Sequence, residues 1–192
     1  MPENRDLSCR CGATRWSVAA IAPGCHVECY CADCQSFARH LRADEVWLDP
    51  DGGTESFHTL PRHVRFTAGQ ENLRALRLGP KGLIRWYAGC CDTPVANTLA
   101  TPRLPFVGLV LRPGQAGFGP LVTKANTGAA RQPVRGFGKG RAIAGLLLRA
   151  AGARLTGRHR PNPFFDAAGA PTVTPRILTL AERDAARPPK AP

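Results

Sequence analysis

The sequence predicts a mainly β protein followed by a C-terminal extension that contains one helix. Three observations carry this reading. Short alternating or apolar runs, broken by Gly- and Pro-rich turns, fill the chain up to about residue 123. Three close-set cysteine clusters lie among those runs and tie remote loops together. Near residue 124 the texture changes to a basic, Ala/Gly/Pro-rich segment.

Thr14-Arg15-Trp16-Ser17-Val18 alternates as a strand with one buried face does. Val46-Trp47-Leu48, Ser56 to Leu60, Val64-Arg65-Phe66 and Leu76-Arg77-Leu78 are further strand candidates. Pro50 to Thr54, Ala68-Gly69-Gln70 and Gly79 to Gly82 separate them as turns. Leu83 to Tyr87 is a strand running into the third cysteine cluster, and Phe106 to Leu111 is an apolar strand stopped by Pro113-Gly114. A short helix is expected over Gln35 to Leu41. In the extension, Ala142, Ile143, Leu146, Leu147 and Ala150 follow helical spacing, which predicts an amphipathic helix over about 139–155 docked on the sheet. Pro161 to Pro175 reads as a Pro-rich loop anchored by Phe164-Phe165. Arg176 to Leu180 reads as a last strand, and the tail from Arg187 as disordered. The expected organisation is therefore a β domain over 1–123 and a basic extension over 124–192.

The clusters are Cys9-Arg10-Cys11, Cys29-Tyr30-Cys31-Ala32-Asp33-Cys34 and Cys90-Cys91. Thiols one or two residues apart suit one metal ion better than a disulfide, which would be strained at that spacing. A tetrahedral zinc takes sulfurs at about 2.3 Å from tight Cys-x-Cys and Cys-x-x-Cys turns. Two ions are expected. Cys9 and Cys11, completed by Cys91, Cys90 or both, would make a closed structural site. Adjacent cysteines on an extended backbone seldom both reach one ion, so Cys90 stands either as a ligand or as a free thiol. Cys29, Cys31 and Cys34 would leave a fourth position open, as catalytic zinc sites do, unless Cys25 closes it. An open position admits a small exogenous thiol and lowers its pKa.

The order Cys9-Arg10-Cys11-Gly12, then Cys29 to Cys34, then Trp86-Tyr87-Ala88-Gly89-Cys90-Cys91-Asp92-Thr93-Pro94 resembles the glutathione-dependent formaldehyde-activating enzyme family, which includes centromere protein V-type domains. The resemblance covers roughly residues 8 to 123. It implies a β-tent fold of short antiparallel strands, structural zinc ligation by Cys9, Cys11 and Cys91, and a second zinc on Cys29, Cys31 and Cys34. It also implies carbon–sulfur lyase chemistry, the addition of glutathione or a similar thiol to a small aldehyde such as formaldehyde. The chain departs from the family where a Cys-x-x-Cys-Gly motif is usual: Ala88 holds the first cysteine position and Asp92 the glycine position.

The formal net charge is +12. Residues 93–165 carry eleven Lys and Arg and no acidic residue, a field that attracts phosphates and carboxylates. The alternative function is accordingly a non-catalytic structural zinc module whose basic region binds nucleic acid or another polyanion. A coding bias toward Arg, Ala, Gly and Pro would give the same composition. The polar start of the chain lacks an apolar signal core and the most apolar run, Ala142 to Leu148, is too short to span a bilayer, so a cytoplasmic setting without a membrane span is expected. Arg85 and Arg39 are candidates to hold the carboxylates of a glutathione-like ligand. His26 reads as a solvated loop histidine, Asp33 as a turn former, and Gly136 to Gly140 as a flexible linker. No general base stands out among the five histidines.

Overall fold

Residues 3–189 are described by a computed structural model, and within them eleven strands form two sheets. The first sheet is β1 (Arg5–Ser8), β2 (Arg15–Val18) and β5 (Val64–Ala68), all antiparallel. The second contains β3 (Cys25–Cys29), β4 (Thr54–Thr59), β6 (Leu73–Arg77), β7 (Ile84–Ala88), β8 (Thr93–Thr98), β9 (Val107–Val110), β10 (Leu121–Ala125) and β11 (Arg176–Ile177). Its order is β10-β3-β4-β9-β8-β7-β6-β11, antiparallel except for the two outermost strands, which pair in parallel. The helices are α1 (Ala32–His40), α2 (Asp44–Trp47), α3 (Lys139–Leu155) and α4 (Leu180–Ala186). The protein is thus mainly β, as its alternating runs imply. No described helix is long and apolar enough to cross a membrane.

Period-two alternation assigns each strand its two faces. On β7, Trp86 points into the core between the sheets, with Trp16, Val18, Phe57, Val95 and Leu109. Arg85 and Tyr87 take the opposite face. A second core gathers Phe37 and Leu41 of α1, Trp47 of α2, and Leu76, Leu78, Val110 and Leu178. Pro94 sits inside β8, where it cannot donate to the ladder, and the β7–β8 register shifts between Trp86 and Tyr87 directly opposite it.

Several elements differ from expectation. Val46-Trp47-Leu48 is not a strand. Asp44 and Glu45 begin a four-residue helix with acidic side chains at its positive end, and Trp47 drops from it into the second core. β10 runs across the boundary expected at 123/124. Gly136 to Gly140 is no free linker: Phe137 exchanges both backbone hydrogen bonds with Lys124 of β10. Gly138, at φ +73°, lies so close to β10 that a Cβ there would strike the Val122 carbonyl. Of the expected final strand only Arg176–Ile177 pairs, and Thr179 and Glu182 form a capping box that starts α4. Residues 187–189 have no regular secondary structure, and 190–192 of the tail expected to be disordered lie outside the described residues.

Helix α3 occupies the predicted span, although its apolar stripe faces two ways. Ala150 and Ala153 are buried and Ala142 and Leu146 partly so, on the side packed over β10, β3 and β4. Ile143 and Leu147 are half-exposed, and Leu148 and Leu155 project into solvent.

The Pro-rich loop is anchored as its two phenylalanines suggest. Phe164 is fully buried, 5.2 Å from Trp86 of the large sheet and 5.9 Å from Phe66 of the small one. Wedged there, it bonds the extension to both sheets. Phe164→Ala is expected to destabilise the fold by about 3–5 kcal/mol through the cavity it leaves. Urea denaturation followed by tryptophan fluorescence measures this, as a lower midpoint at unchanged slope.

Candidate metal centres and the adjoining cavity

Four thiols meet where two hairpin turns meet. Cys9 and Cys11 lie in the turn between β1 and β2, and Cys90 and Cys91 in the turn between β7 and β8. The Sγ separations are 3.5 Å for Cys9–Cys11, 3.7 Å for Cys9–Cys90, 3.5 Å for Cys11–Cys90 and 3.9 Å for Cys90–Cys91. All four sulfurs lie within 4.8 Å of one another. A tetrahedron with metal–sulfur bonds of about 2.3 Å has edges of about 3.8 Å, so the four fit a single ion. The divergence expected of adjacent cysteines does not arise, because their backbone is a turn rather than extended, closed by Asp92 in the left-handed region at φ +51°. The Thr14 amide donates to Cys9 Sγ at 3.2 Å, and Cys91 Sγ lies 3.2 Å from the Thr93 hydroxyl, which accepts from the Arg10 amide at 3.0 Å. Burial pushes the Cys90 thiol up to about 12. At Cys9 the same effect is outweighed by the Thr14 amide and the neighbouring thiols, which bring it down to about 6.

The second group is Cys29, Cys31 and Cys34, again within 4.8 Å of one another. Cys29 ends β3. Cys31 is the N-cap of α1, its sulfur accepting from the Cys34 amide at 3.4 Å, and Cys34 sits in the first turn. Cys25 stays apart. It begins β3, four residues or about 13 Å from Cys29 along the strand, and the Arg149 guanidinium lies 3.6 Å from its sulfur. The three clustered thiols compete for ionisation. Hydrogen bonds from Cys31 and Cys34 hold the Cys29 thiol far below its ordinary value, while Cys29 in turn pushes Cys31 and Cys34 up. Ionising all three together requires a cation among them, which a divalent ion would supply.

Two cationic side chains serve this cluster. Asn126, left-handed at φ +55°, donates to Cys29 Sγ at 3.2 Å and accepts from Lys139 Nζ at 3.0 Å. Arg85 places Nη1 3.9 Å from Cys34 Sγ and donates from it to Asn97 Oδ1 at 3.2 Å, with its guanidinium over the Phe37 ring.

The cluster forms part of the wall of a cavity of about 370 Å³. The floor is one face of the large sheet. Thr54, Ser56 and His58 alternate along β4, and the register runs from His58 through Gly108 and Asn97 to Arg85 in a single cross-strand row. Gly108 makes room in that row, because a Cβ there would lie 3.2 Å from the His58 ring. The roof is α3, through Lys139, Ala142, Ile143 and Leu146. The His58 imidazole lies 3.0 Å from the Ser56 hydroxyl, and burial brings its pKa down to about 4 against the opposing pull of the Cys34 charge, with the Arg149 charge adding to the fall.

The sequence pointed to every thiol of the two groups. It missed His58, Asn97, Asn126 and Lys139, whose only signal is strand alternation or position in a loop. It named Arg85 without separating it from Arg39, which instead lies 3.9 Å from Asp44. His26 is no loop histidine. It is buried in β3, bonded to Glu55 at 2.9 Å and to the Gly119 carbonyl at 3.1 Å.

The low pKa of His58 has a consequence for stability. The unfolded histidine takes up a proton near about 6.5 and the folded one only near 4. Stability therefore falls as pH drops from 6.5 toward 4, at up to about 1.4 kcal/mol per pH unit from this group. His58→Gln is expected to flatten that part of the pH–stability curve while leaving the curve above pH 7 unchanged in shape, as urea titrations at stepped pH will measure.

A family model described as a family of unknown function, DUF6151, matches residues 1–174, a span that includes both thiol groups and α3. No curated protein and no solved structure matches the chain.

Proposed function

The chain belongs to this family of unknown function, DUF6151, and from its own side chains we propose that it is a two-zinc protein of β-tent architecture with carbon–sulfur lyase activity. In this reading the Cys9/Cys11/Cys90/Cys91 zinc is structural and the Cys29/Cys31/Cys34 zinc is the working one. The observation that carries the proposal is the contrast between the two thiol groups. Four sulfurs complete a tetrahedron in the first, whereas the second offers three, and those three face a cavity. Two sheets that meet at the turns carrying Cys9, Cys11, Cys90 and Cys91 support the β-tent assignment.

A zinc ion bound in the second group would supply a position for an exogenous thiol and lower that thiol's pKa. The protein's own contributions follow from its geometry. Val27, Phe106, Ala125, Ile143 and Leu146 give the cavity apolar walls, against which charge interactions are stronger than in open water. Lys139 through Asn126, together with Arg85, offsets the negative charge that accumulates when thiolates gather. In the addition itself the thiol sulfur bonds to the aldehyde carbon, the carbonyl π bond breaks, and the proton from sulfur ends on the new hydroxyl oxygen. His58, neutral at pH 7 and lining the same cavity, is the residue placed to carry that proton. The thiol is glutathione or a similar small molecule.

Metal analysis with X-ray absorption tests the proposal. Two zinc ions per chain are expected, one with four sulfur neighbours and one with three sulfurs and a lighter atom. Glutathione should convert the second to four sulfurs and bind in calorimetry. Absence of glutathione binding to the two-zinc form would remove the lyase reading. Cys31→Ser is expected to lower zinc from two to about one per chain and abolish thiol binding with the fold retained. Global unfolding of that variant would favour a purely structural module.

A further inference from the structure

Arg85 is the buried cation of the cavity floor. Only 3 % of its surface is exposed, and among the described residues no carboxylate pairs with it. A buried guanidinium is costly unless each of its donors meets an acceptor or an opposite charge. The nearby thiol cluster accounts for one edge of the guanidinium only. Nη1 is shared between Cys34 Sγ at 3.9 Å and Asn97 Oδ1 at 3.2 Å. Among the described residues Nε and Nη2 have no hydrogen-bond partner, yet neither is among the polar atoms sealed from solvent. They therefore open into the cavity that Arg85 lines. Two parallel N–H donors on one planar edge are the geometry that receives a carboxylate through both oxygens. Phe37 beneath the ring plane and Asn97 at the other edge fix the orientation of that fork.

We infer that the Nε/Nη2 edge of Arg85 is a carboxylate subsite, and that this cavity selects thiols that carry a carboxylate over neutral ones. The inference rests on the thiol-binding reading of the Cys29/Cys31/Cys34 site and narrows its ligand.

Calorimetry on the zinc-loaded full chain distinguishes the outcomes, with 3-mercaptopropionate and its neutral isostere 3-mercaptopropionamide as probes. The carboxylate is expected to bind about tenfold tighter or more, the usual scale for a charged hydrogen-bonded pair removed from water. In Arg85→Gln the two affinities should become nearly equal. Asn97→Asp, which sets a fixed carboxylate against the same guanidinium, should reduce the preference in the same direction, and zinc content and circular dichroism verify that each variant is folded and loaded. Equal affinities in the wild type, or a preference that survives Arg85→Gln, would overturn the subsite while leaving thiol binding intact. Failure of both thiols to bind would instead remove the thiol site itself, and the subsite with it.

Discussion

Thiols do not gather by fours in a protein without a reason, because ionised sulfurs repel and neutral ones gain little from one another. The meeting of Cys9, Cys11, Cys90 and Cys91 is the constraint on which the architecture turns. Each pair sits in the tight turn of a hairpin, one hairpin from each sheet, so whatever holds the four together also fixes the angle between the sheets. The core between them follows from that angle. Trp16 on one side and Trp86 on the other, with Phe164 inserted from the extension, pack within a space that the turn-to-turn junction defines. A metal ion in such a place contributes its binding free energy to folding directly.

The second thiol group is a different kind of object, since its neighbours are assembled for access. The large sheet presents polar groups on the face away from the shared core, and the row from His58 to Arg85 crosses four strands by register alone. Helix α3 closes the space above that row through small and aliphatic side chains. The basic extension is therefore not an appendage. β10 lengthens the sheet beside β3, Asn126 follows it to reach Cys29, and Lys139 opens the helix that forms the roof. Positive charge that looks diffuse along the sequence is, at Lys139, held by Asn126, the side chain that donates to Cys29 Sγ.

Legibility from sequence followed the locality of each signal. The thiol groups were legible because their spacing is their chemistry. The span of α3 was legible because Ala142, Ile143, Leu146, Leu147 and Ala150 repeat with helical period. β8 was hidden because all six of its residues are buried, so it shows no alternation, and because Pro94 argues against a central strand until the opposing register shift is seen. β3 was hidden by Cys25, His26 and Glu28, polar residues whose partners lie on α3, across the sheet and on β10 respectively. Val46-Trp47-Leu48 misled because an apolar triplet has no period of its own, and the acidic pair before it was the better signal. His58, Asn97 and Arg85 become neighbours only through strand pairing, which no single segment of sequence specifies.

The distribution of the four-thiol site along the chain governs the order in which the molecule can mature. Cys9 and Cys11 leave the ribosome about eighty residues before Cys90 and Cys91. Until the second pair arrives, the first hairpin holds an incomplete ligand set and the small sheet has no fixed neighbour. A divalent ion captured there would therefore join the two sheets only once about half of the chain had been made.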